Sequence, residues 1–462
     1  MADGFGDVVV VLPGLIGSVL TKDGNPLWGT SPGAFWGTVV GENLERLKLT
    51  GEDNGDEDLG DGIVASGLVP NAEIIPGLWK QWGYSRLGTD LVSRLGLTRG
   101  ENYFEFPYDW RRDNRVSARK LARVAPQWLA KWKASSGNEN ARIVLVSHSM
   151  GGLVGRYFME CLEGWKIVRT MVSFGTPYRG AGNALDFLCN GFVQKVGPLS
   201  AFDGTEALRT FDSAYQLLPV YPFVEHGGTG LARISEIALP HLDAARVLKA
   251  KAFHDAMQGA PKSNGGIPAY VASGMSIRPV VGTNQPTKQS ATLKDGVLIP
   301  LQAYEGEDLG GDGTVPRISA IPIGDNGASA AYFATSHSAL QSVPAALDHL
   351  RGVMTGIGID LDRFRSGHAG GGRIGLSLQD AYPADEPVLL EATASEYTQF
   401  LSGTVQRLDA PAEPEGFVLR PRDDTYRVEL ALSPGLYRAS VTGKGLEAVE
   451  DIFLVLGPGE RA

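Results

Sequence analysis

Ser149 has the sequence surroundings of a reactive serine. Residues 143–152 read IVLVSHSMGG, in which an apolar run of mostly β-branched residues is followed by a predicted turn at SHSMGG. A serine hydroxyl becomes nucleophilic only when a base removes its proton and the developing oxyanion is stabilised. Small residues two before and two after such a serine let a strand and a helix approach closely, and Ser147 and Gly151 occupy these positions. Glycine is usual at the first of them, but serine is small enough to fit. The stretch predicts a nucleophile between a strand and a helix.

A serine nucleophile of this kind needs an acid and a histidine that follow it in that order. Asp312 lies between glycines in GGDGTVP (310–316), after the predicted strand LKDGVLIP, and we prefer it to the nearby Glu307 and Asp308 because its glycines permit a tight loop. His337 follows the predicted strand in AYFATSHSAL (331–340). The other histidines fit less well: His148 should point away from the serine, His349 lies in a helix-like segment, and His226, His241 and His254 precede the acid.

Two backbone N–H groups should stabilise the oxyanion. One belongs to Met150, the residue after the serine, and the other to a loop after an early strand. In VLPGLIGS (11–18), Pro13 and Gly14 turn the chain at the end of the first strand and leave the amide of Leu15 to point inward. A plain strand-terminating turn is the alternative. Leu15 would act through its backbone.

The elements that must position these residues alternate between strands and helices from about residue 7 to 350. Continuous apolar runs predict buried parallel strands at 7–12, 103–106, 142–147, 170–174 and 269–273. One face of 117–133 is apolar and predicts a helix packed on this sheet, kinked or restarted at Pro126. The pattern predicts an α/β fold with a mostly parallel sheet, in a catalytic domain over residues 1–365.

The C-terminal part has a different sequence pattern. Residues 366–378 begin with the Gly-rich SGHAGGGR and predict a linker. Residues 379–462 carry short apolar runs separated by Pro, Gly and Asp, which is typical of an antiparallel β-sandwich. This part lacks clustered His, Cys or paired acids, so we interpret it as an accessory domain and a candidate surface for a protein partner.

Composition excludes several classes of function. The chain has 462 residues with a net charge of −10, so no global basic field would attract nucleic acid. Its two cysteines, Cys161 and Cys189, are expected to be free thiols. The N-terminus lacks the pattern of a signal peptide and no window is apolar enough to span a membrane, so a cytoplasmic location is expected. No phosphate loop, dinucleotide fingerprint or metal-ligand spacing appears, so no cofactor and no metal are expected.

The motifs taken together resemble one known family. VLPGLIGSVL, FPYDWR (106–111), SHSMGG, FGTPYRGA (174–181), SAYQLLP (213–219), GDGTVP and the His337 segment occur in the order found in the lecithin:cholesterol acyltransferase family. The resemblance covers about residues 7–350. It implies an α/β-hydrolase fold, an acyl-serine intermediate, Ser149 as nucleophile, Asp312 as acid, His337 as base, and Leu15 and Met150 as oxyanion amides.

The resemblance also implies a lid over an acyl groove at about 182–212. Its apolar residues would be Phe187, Leu188, Phe192 and Val193, for which packing in the core is the alternative. In YDWR, Asp109 and Arg111 are expected to hold loops together rather than to catalyse.

Three functions are compatible with this sequence. The first is hydrolysis of carboxylic esters, chiefly acyl lipids, with transient contact at a membrane surface. The second is transfer of the acyl group to an alcohol by the same residues. The third is a non-catalytic module that binds lipid or a partner, against which the complete Ser, Asp and His set argues.

Overall fold

Val8–Leu12 forms the first strand of a central sheet, and all five of its residues are buried. In the computed structural model the described parts of the chain are residues 5–29, 44–50, 55, 58–70, 73–75, 79–81, 83–196, 199–228, 230–325, 327–355, 373–410 and 412–457. Most of the predicted linker lies outside these ranges.

The strands of the N-terminal part are short and are numbered in chain order. They are β1 Val8–Leu12, β2 Ser18–Lys22, β3 Asn25–Trp28, β4 Ile63–Leu68, β5 Glu73–Ile75, β6 Trp79–Gln81, β7 Tyr103–Glu105, β8 Ile143–His148, β9 Val168–Phe174, β10 Val193–Val196, β11 Leu199–Asp203, β12 Val224–Glu225, β13 Leu231–Ala232, β14 Ser276–Thr283, β15 Ser290–Lys294, β16 Val297–Leu301 and β17 Ala331–Ala334.

Helices connect most of the strands that form the central sheet. They are α1 Leu44–Leu47, α2 Ser85–Leu95, α3 Asn114–Ser136, α4 Gly151–Cys161, α5 Gly182–Asn190, α6 Thr205–Thr210, α7 Asp212–Tyr215, α8 Ala244–Asn264, α9 Pro268–Ala272 and α10 Pro344–Thr355. Short 3₁₀ turns lie at Gly164–Lys166, Ile234–Glu236 and Arg317–Ala320.

The central sheet has six parallel strands in the order β17-β14-β9-β8-β1-β7. Side chains of β1 alternate between its two faces: Val8, Val10 and Leu12 join one core cluster, whereas Val9 and Val11 join the other. Successive residues of a strand point to opposite faces, so a continuous apolar run is stable only where both faces are covered. The predicted α/β architecture is confirmed.

Two of the predicted elements differ from the structure. Residues 269–273 were expected to form a strand, but Pro268–Ala272 is helix α9, and the strand follows at β14. Proline suits the first helical position, and a five-residue apolar run cannot distinguish a strand from a helix. Helix α3 was expected to kink or restart at Pro126. It is continuous through this residue, so it does not restart there, and its buried residues Leu121, Ala125 and Leu129 lie on both sides of the proline.

The C-terminal part is a separate β domain, as predicted. Its eight strands form a mainly antiparallel sheet in the order β18-β20-β23-β22-β21-β24-β25-β19, with β18 Ile374–Ser377, β19 Ala381–Pro383, β20 Val388–Ala394, β21 Leu401–Arg407, β22 Glu415–Arg422, β23 Thr425–Leu430, β24 Gly435–Gly443 and β25 Leu446–Leu456. One half of β22 pairs with β21 and the other with β23, and β18 packs across from β24 and β25 around an apolar core. The sheet therefore closes on itself as a sandwich does.

Strand β25 of this domain contacts the loop that follows β17. The hydroxyl of Ser336 donates a hydrogen bond to the backbone oxygen of Glu450 at 3.2 Å. Ala339 is buried in one apolar cluster with Ala381, Leu436 and Ile452. The C-terminal domain therefore supports the loop that carries His337.

No helix in the described parts of the chain is long and apolar enough to cross a lipid bilayer. Both cysteines are free thiols, as predicted.

Candidate active site

Ser149 occupies a strained turn between β8 and α4. Its φ is 52°, in the left-handed region that non-glycine residues rarely adopt, and its backbone N–H donates to the oxygen of Phe174 at 2.8 Å. Such strain persists only where the surroundings hold it, and it clusters at functional sites. The turn has the geometry expected of a nucleophile elbow.

Gly151 explains why this turn needs small residues. A Cβ added at Gly151 would lie 2.4 Å from the backbone oxygen of Pro13 and 2.7 Å from that of Leu12. Both neighbours are backbone atoms, so no side-chain rotation could relieve the contact. The start of α4 therefore packs directly on the end of β1 and on the loop that leads to Leu15.

We expect Gly151→Ala to destabilise the protein by about 1–3 kcal/mol, because overpacking forces the backbone to shift. The measurement is the thermal unfolding midpoint of the purified variant. Gly259→Ala is the matched control: Gly259 is exposed within α8, and an added Cβ would meet nothing within 4 Å. This control should be slightly stabilising, since alanine favours helix over glycine. Equal midpoints for Gly151→Ala and the wild type would contradict the steric argument.

His337 links Ser149 to Asp312 through two hydrogen-bonding contacts. Its Nε2 lies 3.0 Å from Ser149 Oγ, and its Nδ1 lies 2.8 Å from Asp312 Oδ2. The backbone N–H of His337 also donates to the backbone oxygen of Asp312 at 2.7 Å. All three residues are almost completely buried. The structure therefore brings together the serine, the acid and the histidine that the sequence singled out, at distances suited to proton transfer.

The carboxylate of Asp312 is held from its other side by the backbone. Its Oδ1 accepts hydrogen bonds from the N–H groups of Thr314 at 3.0 Å and Val315 at 2.6 Å, which leaves Oδ2 for the imidazole. Gly175, at a φ of 55°, approaches the same pair so closely that an added Cβ would lie 2.9 Å from His337 Nδ1. The acid and the imidazole are therefore fixed in orientation.

The strand expected to lead into the Asp312 loop does not belong to the central sheet. LKDGVLIP contributes to the hairpin β15–β16, which belongs to a separate four-stranded sheet. Asp312 instead pairs with Gln285, just beyond the carboxyl end of β14, after the chain returns from that hairpin. The alternative acids Glu307 and Asp308 are exposed, and Asp308 bonds to Gln289 and Gly310.

The two expected oxyanion amides lie next to the nucleophile. Leu15 and Met150 are buried, and a Cβ added at Gly14 would lie 2.9 Å from the Cβ of Ser149. In the described part of the chain, no acceptor is found for the backbone N–H of Leu15 or of Met150. Buried N–H groups normally have partners, so two unused donors at this place suit a ligand oxygen.

The position of the His148 ring beside His337 was not predicted from the sequence. Its ring does not point away from the site but lies 5.1 Å from the His337 ring, measured between centroids. It also contacts Tyr84, a residue that no motif singled out. Only its position directly before the serine could have suggested this.

The four residues expected to form a lid surface are divided between core and surface. Leu188 and Phe192 are buried in the main core, Phe187 is half-buried against it, and Val193 is 45% exposed. Leu188 and Phe192 are thus not part of an exposed apolar surface: Leu188 lies on the buried face of α5, and Phe192, just after that helix, packs into the same core. The lid assignment for about residues 182–212 stays a prediction.

Asp109 and Arg111 hold loops together, as predicted. The fully buried Arg111 binds Asp109 at 2.6 Å and Asp61 at 2.9 Å, and it donates to the backbone oxygen of Leu47 at 3.2 Å. These contacts tie the end of α1 and the turn before β4 to the segment that carries Arg111.

A cavity of about 250 Å³ lies between the candidate site and the C-terminal domain. Asp312 and His337 line one side, and Leu376, Asp380 and Asp451 belong to the other. Ser149 itself has no exposed surface. Within the described residues, no group of three or more His, Cys, Asp or Glu side chains could hold a metal ion.

The sequence of this chain is similar to those of known proteins. Residues 73–244 match the family model for lecithin:cholesterol acyltransferase. The human lysosomal phospholipase A and acyltransferase is 26% identical over 229 residues, which cover 49% of this chain and 54% of that protein. Lecithin-cholesterol acyltransferase-like 4 of Arabidopsis thaliana is 35% identical over 101 residues, 21% of this chain and 18% of that protein.

The chain thus spans about half the length of the human relative. Among solved structures, phospholipase PlaB from Legionella pneumophila matches 83% of this chain and 88% of its own, with 11% identity and a TM-score of 0.33. Together with the motifs, the sequence matches confirm the predicted resemblance: this chain is similar to the lecithin:cholesterol acyltransferase family.

Proposed function

We propose that this protein cleaves carboxylic esters of acyl lipids through an acyl-serine intermediate. The proposal rests on one observation above all: the hydrogen-bonded series from Ser149 Oγ through the imidazole of His337 to Asp312 Oδ2, placed on a strained turn. The similarity to phospholipase and acyltransferase proteins supports an acyl lipid as the substrate class.

The proposed chemistry assigns one role to each group. His337 Nε2 accepts the proton of Ser149 as Oγ attacks the ester carbonyl, and Asp312 stabilises the imidazolium through Nδ1. The N–H groups of Leu15 and Met150 donate to the oxyanion. When the tetrahedral intermediate collapses, the leaving alkoxide takes the proton from His337 and departs as an alcohol. The acyl group remains on Ser149.

The second half of the reaction decides between two activities. His337 removes a proton from the incoming nucleophile, which is water in hydrolysis and an alcohol in acyl transfer. Acyl transfer is the alternative, supported by the name of the human relative. A non-catalytic module would not need the Ser149–His337–Asp312 alignment. Transient membrane contact and a partner of the C-terminal domain remain predictions.

The test measures products from phosphatidylcholine vesicles and from nitrophenyl esters of increasing acyl length, with and without a long-chain alcohol. We expect free fatty acid from vesicles and faster cleavage of longer esters. The ratio of alkyl ester to fatty acid when the alcohol is present measures acyl transfer against hydrolysis. If the folded protein released no acyl product from any of these substrates, the proposal would be wrong and the binding module would be favoured.

A further inference from the structure

Tyr84 connects the loop of Leu15 to the residue before the nucleophile. It precedes helix α2 and is buried, and its hydroxyl oxygen accepts a hydrogen bond from the backbone N–H of Gly14 at 2.8 Å. The same hydroxyl lies 3.1 Å from Nδ1 of His148. A Cβ added at Gly17 would lie 2.9 Å from this oxygen, so the loop closes tightly around it. One phenol therefore holds the turn that presents the Leu15 amide.

His148 continues the connection to the loop of the proposed base. Its Nε2 lies 3.2 Å from the backbone oxygen of His337. A carbonyl oxygen only accepts hydrogen bonds, so Nε2 must carry the proton. Burial lowers the pKa of His148 well below its usual value, so the ring is neutral at neutral pH and Nδ1 accepts from the Tyr84 hydroxyl. One protonation state satisfies every contact from Gly14 to His337.

We propose that Tyr84 and His148 are positioning residues that keep the Leu15 amide and the His337 imidazole aligned on Ser149. The inference rests on the proposed function, and it adds two residues that neither touch the substrate nor belong to the Ser149–His337–Asp312 series. Tyr84 holds the loop of the Leu15 amide, and His148 contacts the backbone of His337. His148 also directly precedes Ser149 in the sequence. Loss of either side chain would release both loops, and small displacements of reacting groups cost large factors in rate.

The kinetic test compares Tyr84→Phe with Tyr103→Phe. Tyr103 is a matched control because it is equally buried in the same core cluster and its hydroxyl donates to Glu105, away from the site. Competent sites are counted by titration with a fluorophosphonate, and kcat per competent site and KM are measured with a nitrophenyl ester. We expect Tyr84→Phe to lower kcat at least about tenfold with KM within about twofold. Tyr103→Phe should leave both within about twofold.

Variants of His148 separate positioning from simple space filling. Glutamine offers one acceptor and one donor, so His148→Gln should retain more kcat per competent site than His148→Leu, which offers neither. A purely structural role would lower the unfolding midpoint and the number of competent sites without changing kcat per site. Wild-type kcat per site in Tyr84→Phe, or equal losses in Tyr84→Phe and Tyr103→Phe, would overturn the proposal.

A measurement independent of turnover distinguishes this proposal from the proposed function. Nitrogen-15 NMR of the His148 imidazole in the wild type should show a proton on Nε2 and none on Nδ1 at neutral pH, and Tyr84→Phe should shift the Nδ1 resonance. A proton on Nδ1 would overturn the positioning proposal even in an active enzyme. Absence of any turnover with the expected protonation state would instead contradict the proposed function.

Discussion

Replacing Ser149 by alanine is expected to abolish labelling by a fluorophosphonate and to lower ester turnover by about 10⁴- to 10⁶-fold. The expectation follows from the 3.0 Å contact between Ser149 Oγ and His337 Nε2, which makes this hydroxyl the group that loses its proton to a base. Labelling reports formation of the covalent adduct on the activated serine, whereas turnover also reports every later step. Both should be measured on the same preparation.

Ser213→Ala is the matched control for this variant. Ser213 is also fully buried, but its hydroxyl donates to the backbone oxygen of Trp110 at 2.6 Å and lies in a different part of the fold. Its loss should lower stability by about 1 kcal/mol and leave labelling intact. If wild type and Ser149→Ala were labelled equally, the nucleophile would have to be another residue.

Replacing Asp312 by asparagine is expected to lower kcat by about 10⁴-fold while the protein stays folded. Asparagine can still accept the bonds from Thr314 and Val315 through Oδ1, but an amide NH₂ would then face His337 Nδ1. The imidazole would have to accept there and carry its proton on Nε2, so it could not accept the proton of Ser149. Asp308→Asn changes an exposed acid four residues earlier and should have little effect on kcat.

The effects of replacing Asp312 and His337 are expected to be strongly non-additive. Asp312 acts through His337, so His337→Ala alone should also cost orders of magnitude in turnover, and adding Asp312→Asn to it should cost little more. The measurement is kcat for both single variants and the double variant, with thermal unfolding to verify folding. Near-normal activity of His337→Ala would show that the base lies elsewhere, and additive losses would show that Asp312 acts independently of the imidazole.

Much of the fold could be predicted because the central strands follow a simple physical rule. A continuous apolar run such as β1 must be covered on both faces, and the two core clusters on either side of it show this directly. The rule fails where a run is too short to reveal its period. Helix α9 is such a case, because five apolar residues fit a helix or a strand equally well.

The three residues that the structure brings together at the candidate site could be predicted, but their surroundings could not. Ser149, Asp312 and His337 carry local signals: small neighbours, flanking glycines and a polar turn after a strand. The contact of Tyr84 with Gly14 joins residues 70 positions apart and has no such signal. The path of the chain from β14 through a hairpin to Asp312 could not be predicted either, because it depends on the tertiary pairing of Asp312 with Gln285. The domain boundaries and a cytoplasmic location stay predictions.

The support that β25 gives to the His337 loop bears on how this protein can be shortened. Removing the C-terminal sheet would strip the partners from Ala339 and leave Ser336 without the Glu450 oxygen, two and one residues from the imidazole. An expression fragment that lacks the C-terminal domain would therefore carry His337, the proposed base, on a loop with less support. Fusion tags are better attached after β25. A chimera that takes the N-terminal domain from this protein should also take its C-terminal domain.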